Sequence, residues 1–159
     1  MSAKALIILG MHRSGTSAFT GSLKCLGVKL GRKLYAGHSA INAKGYWEHS
    51  DIVDMHDEIL RLMGSRWDDI NPLPSGWQSQ DFLHSSIAYL ERYFQRDFEN
   101  KEIWALKDPR MCRLLPIWNQ ILKKNNISPF YIFISRHPIE VARSLERRNK
   151  FPLELGIML

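Results

Sequence analysis

The residues with the clearest chemical meaning form a glycine-rich segment close to the N-terminus. Gly10 and Gly15 enclose four residues and are followed by Thr16 and Ser17, which is the spacing of a nucleotide phosphate loop. Glycines let such a loop turn tightly, so that successive amide groups converge on one anion. The helix that follows adds the positive end of its dipole. We call residues 10–17 the glycine loop and predict that it binds a phosphate or sulfate group.

The cation of the glycine loop differs from that of nucleoside triphosphatases. Those enzymes carry lysine at the position that Thr16 occupies here. Arg13 instead supplies a cation from inside the loop, and its planar guanidinium suits a bidentate contact with phosphate or sulfate. The missing lysine argues against hydrolysis of ATP or GTP as the main chemistry. The predicted contacts to the anion are Arg13, Ser14, Gly15, Thr16 and Ser17.

A second polar cluster is expected where another apolar run ends. Arg136 follows the run 130–134, and Ser144 lies eight residues after Arg136, near the second turn of a predicted helix. From there Ser144 can face back toward the carboxyl end of the strand. Open parallel sheets bind ligands at that edge. Considered separately, Arg136 is equally well explained by a surface ion pair and Ser144 by an exposed hydroxyl.

The candidate general base is Glu48, which ends the aromatic element Gly45-Tyr46-Trp47-Glu48. A polar-tipped aromatic loop of this kind suits the wall of a substrate site, and a carboxylate there can accept a proton. His12 and His49 are alternative bases, because imidazole titrates near neutral pH. Glu48 could instead stabilise the start of a helix near Ser50. The two histidines could equally be solvated surface residues.

The hydrophobic pattern predicts strands that alternate with helices. Short apolar runs typical of buried strands lie at 5–9, 103–106 and 130–134. Helical spacing of apolar residues covers 15–26, 52–63, 82–98, 114–122 and 139–149. We expect Pro116 in the first turn of its helix and a helix cut short in the apolar tail 151–159. This order predicts an α/β fold of three layers, with a central parallel sheet covered by helices on both faces. The glycine loop between the first strand and its helix favours the phosphate-loop type of this fold.

The length of 159 residues indicates one domain, and the glycine loop makes a nucleotide-binding domain over residues 1–159 the expectation. Lysine and arginine number 22 against 16 acidic residues, a net charge of +6 that favours anionic partners but does not choose among them. The two cysteines lack the spacing of a zinc site or a disulfide framework and fit a reducing compartment. With no apolar run long enough for a membrane span, we expect a cytoplasmic protein.

These segments together resemble the sulfotransferase family, most closely its bacterial-type members. Arg13 to Ser17 after an N-terminal strand is similar to the loop that holds the 5′-phosphosulfate end of 3′-phosphoadenosine 5′-phosphosulfate. Arg136 and Ser144 resemble the arginine and serine that bind the 3′-phosphate of that nucleotide. Residues 106–110 resemble an element that, in tyrosylprotein-type members, brings a lysine, here Lys107, to the transferring sulfuryl group. The resemblance runs from the N-terminus to about Arg148 and includes the element around Glu48.

The resemblance implies transfer of a sulfuryl group from 3′-phosphoadenosine 5′-phosphosulfate to an acceptor hydroxyl or amine, with no metal required. Glu48 is expected to act as the base, while Arg13 and Lys107 stabilise the leaving phosphate. Asp108 is the single candidate for a magnesium ligand, and an ion pair with Lys107 explains it equally well. Sulfotransferase domains continue well past the 3′-phosphate element, so we expect this chain to lack the C-terminal part. An oligomer or a C-terminal complement is then a candidate partner.

The acceptor class stays open among carbohydrate, lipid, phenol and peptide, and no nucleic acid is expected. Loops 31–50 and 64–80 are predicted to shape its pocket. Trp67, like the other tryptophans at 77, 104 and 118, is interpreted as a packing residue. The basic cluster Arg143, Arg147, Arg148 and Lys150 is more simply a solvated helix face, although it could meet the nucleotide or an anionic acceptor.

Two other functions compete with the sulfotransferase interpretation. The first is a phosphate-loop kinase or ATPase that uses Arg13 in place of the usual lysine, and a preference for magnesium-ATP would identify it. The second is an inactive or partial nucleotide-binding module, which would bind the nucleotide without turnover.

Overall fold

Three parallel strands form the sheet of the computed structural model, which describes residues 3–37, 42 and 45–159. Strand β1 (Lys4–Leu9) lies between β2 (Ile103–Lys107) and β3 (Ser128–Phe133). Ile8 of β1 aligns with Lys107 of β2, and Leu9 aligns with Phe133 of β3. The carboxyl ends of the strands therefore lie side by side, and the segments that follow them start at one edge of the sheet.

A helix follows each strand, as a parallel sheet requires. The helices are α1 (Thr16–Cys25), α2 (Ser50–Leu62), α3 (His84–Asp97), α4 (Met111–Lys124), α5 (Pro138–Asn149) and α6 (Leu153–Met158). Two short 3-10 turns, Trp77–Ser79 and Asp81–Leu83, precede α3. The predicted α/β class, with a parallel sheet flanked by helices, is confirmed.

Aromatic side chains fill the core between the sheet and α2, α3 and α4. The ring of Trp104 on β2 stacks on Phe98 with centroids 4.5 Å apart and meets Phe94 at 5.7 Å. Trp104 and Trp118 are fully buried, and Trp77 is 7% exposed. The interpretation of these three tryptophans as packing residues is confirmed.

Helix α4 begins earlier than its hydrophobic pattern predicts, so the prediction that Pro116 lies in its first turn is wrong. Its first turn starts at Met111, because Asp108 organises the preceding turn: the amide of Met111 donates to the Asp108 carbonyl at 3.0 Å. Pro116 is thus inside the helix and not in its first turn. Lacking an N–H, it removes the bond that the carbonyl of Cys112 would normally accept.

Strand β3 is the least covered part of the sheet. Phe130 is 51% exposed and Phe133 is 71% exposed, whereas Ile7 and Ile8 of β1 are fully buried. Tyr131 reaches α4, where its hydroxyl donates to Asn119 Oδ1 at 2.6 Å. The expectation that helices cover every strand on both faces is wrong for β3, because an apolar run predicts a strand but not what packs on it.

None of the helices in the described part of the chain is long and apolar enough to cross a membrane. Cys25 and Cys112 are free thiols, and the amide of Gly10 donates to the sulfur of Cys112 at 3.2 Å.

Candidate active site

The glycine loop has a backbone that its sequence makes specific. Gly10 has a φ of 144°, and a Cβ atom there would come within 2.4 Å of the Ile134 carbonyl oxygen, so only glycine fits. Arg13 takes a φ of 70°, a left-handed conformation that is energetically costly for a residue with a side chain. Ser14 fixes the turn, since its hydroxyl and its amide both donate to the Met11 carbonyl at 2.6 and 3.2 Å. The loop is thus held in one shape by its own contacts.

Helix α1 begins at the end of this loop without a side-chain cap. Its N-cap is Gly15, with a φ of 102°. The first amides of a helix have no intrahelical acceptor, and a glycine N-cap provides none. These amides, together with the dipole of α1, create a positive potential at the mouth of the loop.

A buried ion pair lies next to the glycine loop. Lys107, at the end of β2, donates to Glu48 Oε1, to Ser17 Oγ at 3.0 Å and to the Tyr46 carbonyl at 3.3 Å. The side chains of Lys107 and Glu48 are only 3% and 9% exposed. An ammonium has three N–H groups, so these three acceptors satisfy it completely. The predicted base and the predicted cation are therefore in direct contact, 59 residues apart in the chain.

The ion pair between Lys107 and Asp108, considered as the alternative to a magnesium ligand, is not formed: Lys107 pairs with Glu48 and Asp108 with His56 and Arg110. Successive side chains at the end of a strand point to opposite faces, so Lys107 turns toward Ser17 while Asp108 turns toward α2. Asp108 is fully buried and accepts from His56 Nδ1 at 2.6 Å and from Arg110 Nη1 at 2.9 Å.

His56 is a functional-site neighbour that the sequence pattern does not reveal. Its Nε2 accepts from Trp118 Nε1 at 2.8 Å, so Nδ1 is the nitrogen that donates to Asp108. Burial alone would raise the pKa of Asp108, but the hydrogen bond from His56 and the charge of Arg110 outweigh it and lower that pKa. The network fixes Arg110, which also donates to Asp57 Oδ1 at 2.5 Å. No signal in the sequence joins these residues, because they come from α2, α4 and the turn between β2 and α4.

Burial raises the pKa of the Glu48 carboxyl, although the Lys107 ammonium acts in the opposite direction. A carboxylate with a raised pKa holds a proton more strongly than an exposed one. This shift brings Glu48 closer to the pKa that suits a general base at neutral pH.

His49, one of the alternative bases, is a structural residue. Its Nδ1 accepts from the amide of Ile52 at 3.4 Å and so caps α2, while its Nε2 meets Asp97 Oδ2 at 2.5 Å. The ring is 1% exposed, so the surface position considered for it is also wrong. With both nitrogens engaged, His49 has no free atom to take a proton from a substrate.

His12, the other alternative base, lies inside the glycine loop. Burial, followed by the charge of Arg110, lowers its pKa to about 3. Its Nε2 is buried and meets no hydrogen-bond partner among residues 3–37, 42 and 45–159. The ring packs against Trp67 with centroids 4.3 Å apart. A neutral ring with so low a pKa is a weak base at pH 7, and a solvated surface position does not describe it.

Arg136 and Ser144 make separate contacts in this structure. Arg136 Nε donates to Glu140 Oε2 at 2.7 Å in an exposed ion pair. Ser144 is buried, and its hydroxyl accepts from Arg13 Nε at 2.8 Å. The glycine loop is therefore tied to α5 through Arg13 and Ser144, a contact that the sequence did not predict.

One pocket of about 720 Å³ collects these groups at the carboxyl edge of the sheet. Its volume lies within the range of small-ligand sites. The glycine loop, the Glu48–Lys107 pair, Arg110 and Arg136 all line it. The loops predicted to shape an acceptor pocket also contribute, through Tyr35, Tyr46 and Trp67. Residues 38–41 and 43–44 of the first of these loops lie outside the described residues.

The helix-borne basic cluster separates into two environments. Arg143, Arg147 and Lys150 are exposed, as expected of a solvated helix face, whereas Arg148 is half-buried and lines the pocket. The signal that could have singled out Arg148 is its spacing, since a residue four positions after Ser144 lies on the same helix face.

Comparison with protein-family models, with curated proteins and with solved structures finds no match to this chain. The described ranges contain no group of three or more histidine, cysteine, aspartate or glutamate residues that could hold a metal ion. The function is therefore argued from the chemistry of the pocket.

Proposed function

We propose that this chain is a sulfotransferase with a phosphate-loop-type fold of three layers. It would transfer a sulfuryl group from 3′-phosphoadenosine 5′-phosphosulfate to an acceptor hydroxyl or amine. The observation that carries the proposal is the buried Lys107–Glu48 pair, which contacts Ser17 at the end of the glycine loop. Transfer to a hydroxyl needs a cation for the leaving group and a proton acceptor close to it, and this pair offers both.

The nucleotide is assigned to the edge of the sheet. Its 5′-phosphosulfate would be bound by the first amides of α1, by the hydroxyls of Thr16 and Ser17 and by Arg13. Arg136 and Ser144 are assigned to the 3′-phosphate. The exposed pair of Arg136 with Glu140 is a weak obstacle, because surface ion pairs contribute about 0–1 kcal/mol and an anion can displace the carboxylate.

All atoms and electrons of the proposed transfer step are accounted for without a metal ion. A lone pair of the acceptor oxygen or nitrogen attacks sulfur, and the bond between sulfur and the bridging oxygen of the 5′-phosphate breaks. The acceptor proton passes to the carboxylate of Glu48, and adenosine 3′,5′-bisphosphate leaves with the electron pair of the broken bond. Lys107 and Arg13 stabilise the charge that grows on the bridging oxygen. Lys107 Nζ lies 3.0 Å from Ser17 Oγ at the end of the glycine loop. It can reach an anion bound in that loop by turning away from Glu48.

A thermal-shift experiment with adenosine 3′,5′-bisphosphate in EDTA tests the nucleotide site. A ligand at about 100 times its dissociation constant adds about 2.7 kcal/mol of stability, which raises Tm by several degrees in a domain of this size. We expect this shift in the wild type and in Arg147→Ala, which removes an exposed arginine outside the pocket. We expect Arg13→Ala to abolish it.

A shift with magnesium-ATP alone would contradict the proposal and favour a kinase or ATPase. Equal shifts in Arg13→Ala and Arg147→Ala would also contradict it, because binding would then not involve the glycine loop.

A further inference from the structure

Arg148 is an arginine of the pocket to which the proposed reaction assigns no role. It lies four residues after Ser144 on α5, about 6 Å further along the helix axis. Ser144 faces the glycine loop, since it accepts from Arg13 Nε at 2.8 Å. Arg148 continues the same helix face into the pocket, which it lines together with Arg13.

The direct contacts of Arg148 include no carboxylate, although the charge of Glu48 is near enough to raise the pKa of its guanidinium against the effect of burial. Its Nε donates to the neutral side chain of Asn149 at 2.5 Å, and its guanidinium lies 5.6 Å from the centre of the Trp67 ring. It forms no ion pair with any carboxylate in the described part of the chain. Arg110, in the same pocket, pairs with both Asp57 and Asp108. A half-buried arginine is expected to have such a partner, so the contrast points to a ligand that supplies the negative charge.

The positive charge of Arg13 lies close to that of Arg148 and repels it. Burial lowers the pKa of Arg148, and the nearby charge of Arg13 lowers it further. Arg13 is held toward α5 by its bond to Ser144, so the two guanidinium groups cannot simply separate. An oxyanion bound between them would relieve the repulsion and could accept a bidentate contact.

The contacts of Trp67 place this position on the acceptor side of the pocket. Trp67 belongs to the connection between α2 and α3, and its ring packs on His12 and, with centroids 5.8 Å apart, on Phe151. Arg148 thus lies where that connection meets α5. The 5′-phosphosulfate is assigned to the amides at the start of α1, and the 3′-phosphate is assigned to Arg136 and Ser144.

We propose that Arg148 forms a subsite for an oxyanion group of the acceptor, next to the Arg13 guanidinium that the proposed reaction assigns to the 5′-phosphosulfate. The acceptor would then carry a carboxylate, sulfate or phosphate in addition to the hydroxyl or amine that receives the sulfuryl group. This inference rests on the proposed function, because it presupposes that the nucleotide occupies the glycine loop. It excludes neutral phenols and neutral sugars as good acceptors.

Inorganic sulfate is the probe for this subsite, and the indole N–H signal of Trp67 is the local reporter. The signal is assigned with Trp67→Phe, and sulfate is titrated into protein saturated with adenosine 3′,5′-bisphosphate while the signal is followed by NMR. The variant is Arg148→Gln. Arg147→Gln is the matched control, because it makes the same change of charge at an exposed neighbour on the same helix.

We expect sulfate to shift the signal saturably in the wild type and in Arg147→Gln. In Arg148→Gln the Kd for sulfate should rise at least about ten-fold, as expected when a charged hydrogen bond is lost. Arg148→Lys, which keeps the charge but not the planar fork, should give an intermediate Kd. The bisphosphate Kd of Arg148→Gln should stay within about three-fold of the wild type, because Arg148 is not among the residues assigned to either phosphate. Thermal melting of each variant checks that it is folded.

If Arg148→Gln and Arg147→Gln weaken sulfate binding equally, the subsite is overturned, because the sulfate Kd would then depend only on net charge. A ten-fold loss of bisphosphate affinity in Arg148→Gln, with no sulfate binding to the saturated wild type, would assign the oxyanion to the nucleotide and overturn the acceptor assignment. Failure of the proposed function has a different signature, namely a wild type that does not bind the bisphosphate. The same sulfate comparison on the free protein then decides whether the subsite exists.

Discussion

The pair formed by Glu48 and Lys107 depends on both of its members. Each charge is buried, and a buried charge without its partner is strongly unfavourable, whereas removal of both charges together costs much less. The catalytic assignment and the stability of the pocket are therefore linked at these two residues. A substitution that tests catalysis has to keep the hydrogen bond that holds the pair together.

Glu48→Gln meets that condition, because the amide oxygen of glutamine can still accept from Lys107. Its loss of basicity should lower kcat by about 10²- to 10⁴-fold, the usual contribution of a general base. The bisphosphate Kd should change little. Release of adenosine 3′,5′-bisphosphate in the presence of an acceptor measures the rate.

The control is Glu58→Gln, which removes a carboxylate whose partner is Arg61 on the surface of α2 and should leave kcat unchanged. A Glu48→Gln enzyme as active as this control would remove Glu48 from the mechanism.

At the scale of elements, α5 is the support of the pocket, since it carries both Ser144 and Arg148. Its position is set by α6, which packs against it very closely. A Cβ atom on Gly156 of α6 would come within 2.8 Å of the Cα atom of Ala142 on α5. This contact allows no added methyl group unless the two helices move apart.

Gly156→Ala is expected to destabilise the fold by about 1–3 kcal/mol, the usual effect of overpacking a tight contact. Because the displaced helix carries Ser144, the bisphosphate Kd should rise as well. Chemical denaturation and calorimetric titration measure the two effects.

Ile157→Ala is the matched control, because Ile157 is 48% exposed on the same short helix and its loss should change stability by about 0.5 kcal/mol or less. If Gly156→Ala behaves like this control, the close packing of α5 on α6 does not position the pocket.

The elements themselves were largely predictable, and the contacts between them were not. Apolar runs and helical periodicity located β1, α1 and α5 to within a residue or two, since both patterns are local. The Glu48–Lys107 pair and the Asp108–His56 bond join residues 59 and 52 positions apart, so no local pattern encodes them. The glycine spacing likewise predicts an anion contact for Arg13, which stays a prediction, whereas no pattern predicts the bond from Arg13 to Ser144.

At the scale of the whole molecule, acid stability should depend on a contact between two residues that do not line the pocket. His49 at the start of α2 meets Asp97 at the end of α3, and Arg96 and Arg32 add charge to the same carboxylate. Burial would raise the pKa of Asp97, but the hydrogen bonds from Arg96 and His49 outweigh it and lower the pKa to about 2.

A lowered pKa in the folded state means that the unfolded chain binds the proton more readily. The stability contributed by Asp97 is therefore fully present above pH 4 and is lost as the pH falls toward about 2. The difference in unfolding free energy between the wild type and Asp97→Asn should accordingly be largest near pH 6 and shrink toward zero near pH 2. Urea denaturation across this range measures it.

The matched control is Asp81→Asn, because the Asp81 side chain is 99% exposed. Its unfolding free energy should differ little from that of the wild type at every pH. A difference for Asp97→Asn that stays constant between pH 6 and pH 2 would show that its carboxylate does not titrate as inferred.

The central position of β1 has a consequence for how the chain acquires its shape during synthesis. Lys4 pairs with Ile103 on one side and with Ser128 on the other, so β1 is synthesised about a hundred residues before either of the strands that pair with it. Such long-range parallel pairing is slow and leaves apolar surface open to chaperones in the meantime. The glycine loop is completed later still, because the bond that anchors its strand runs from the amide of Ile134 to the carbonyl of Leu9. The glycine loop is thus translated well before the strand that fixes its position, and it reaches its final shape only after β3 has paired with β1.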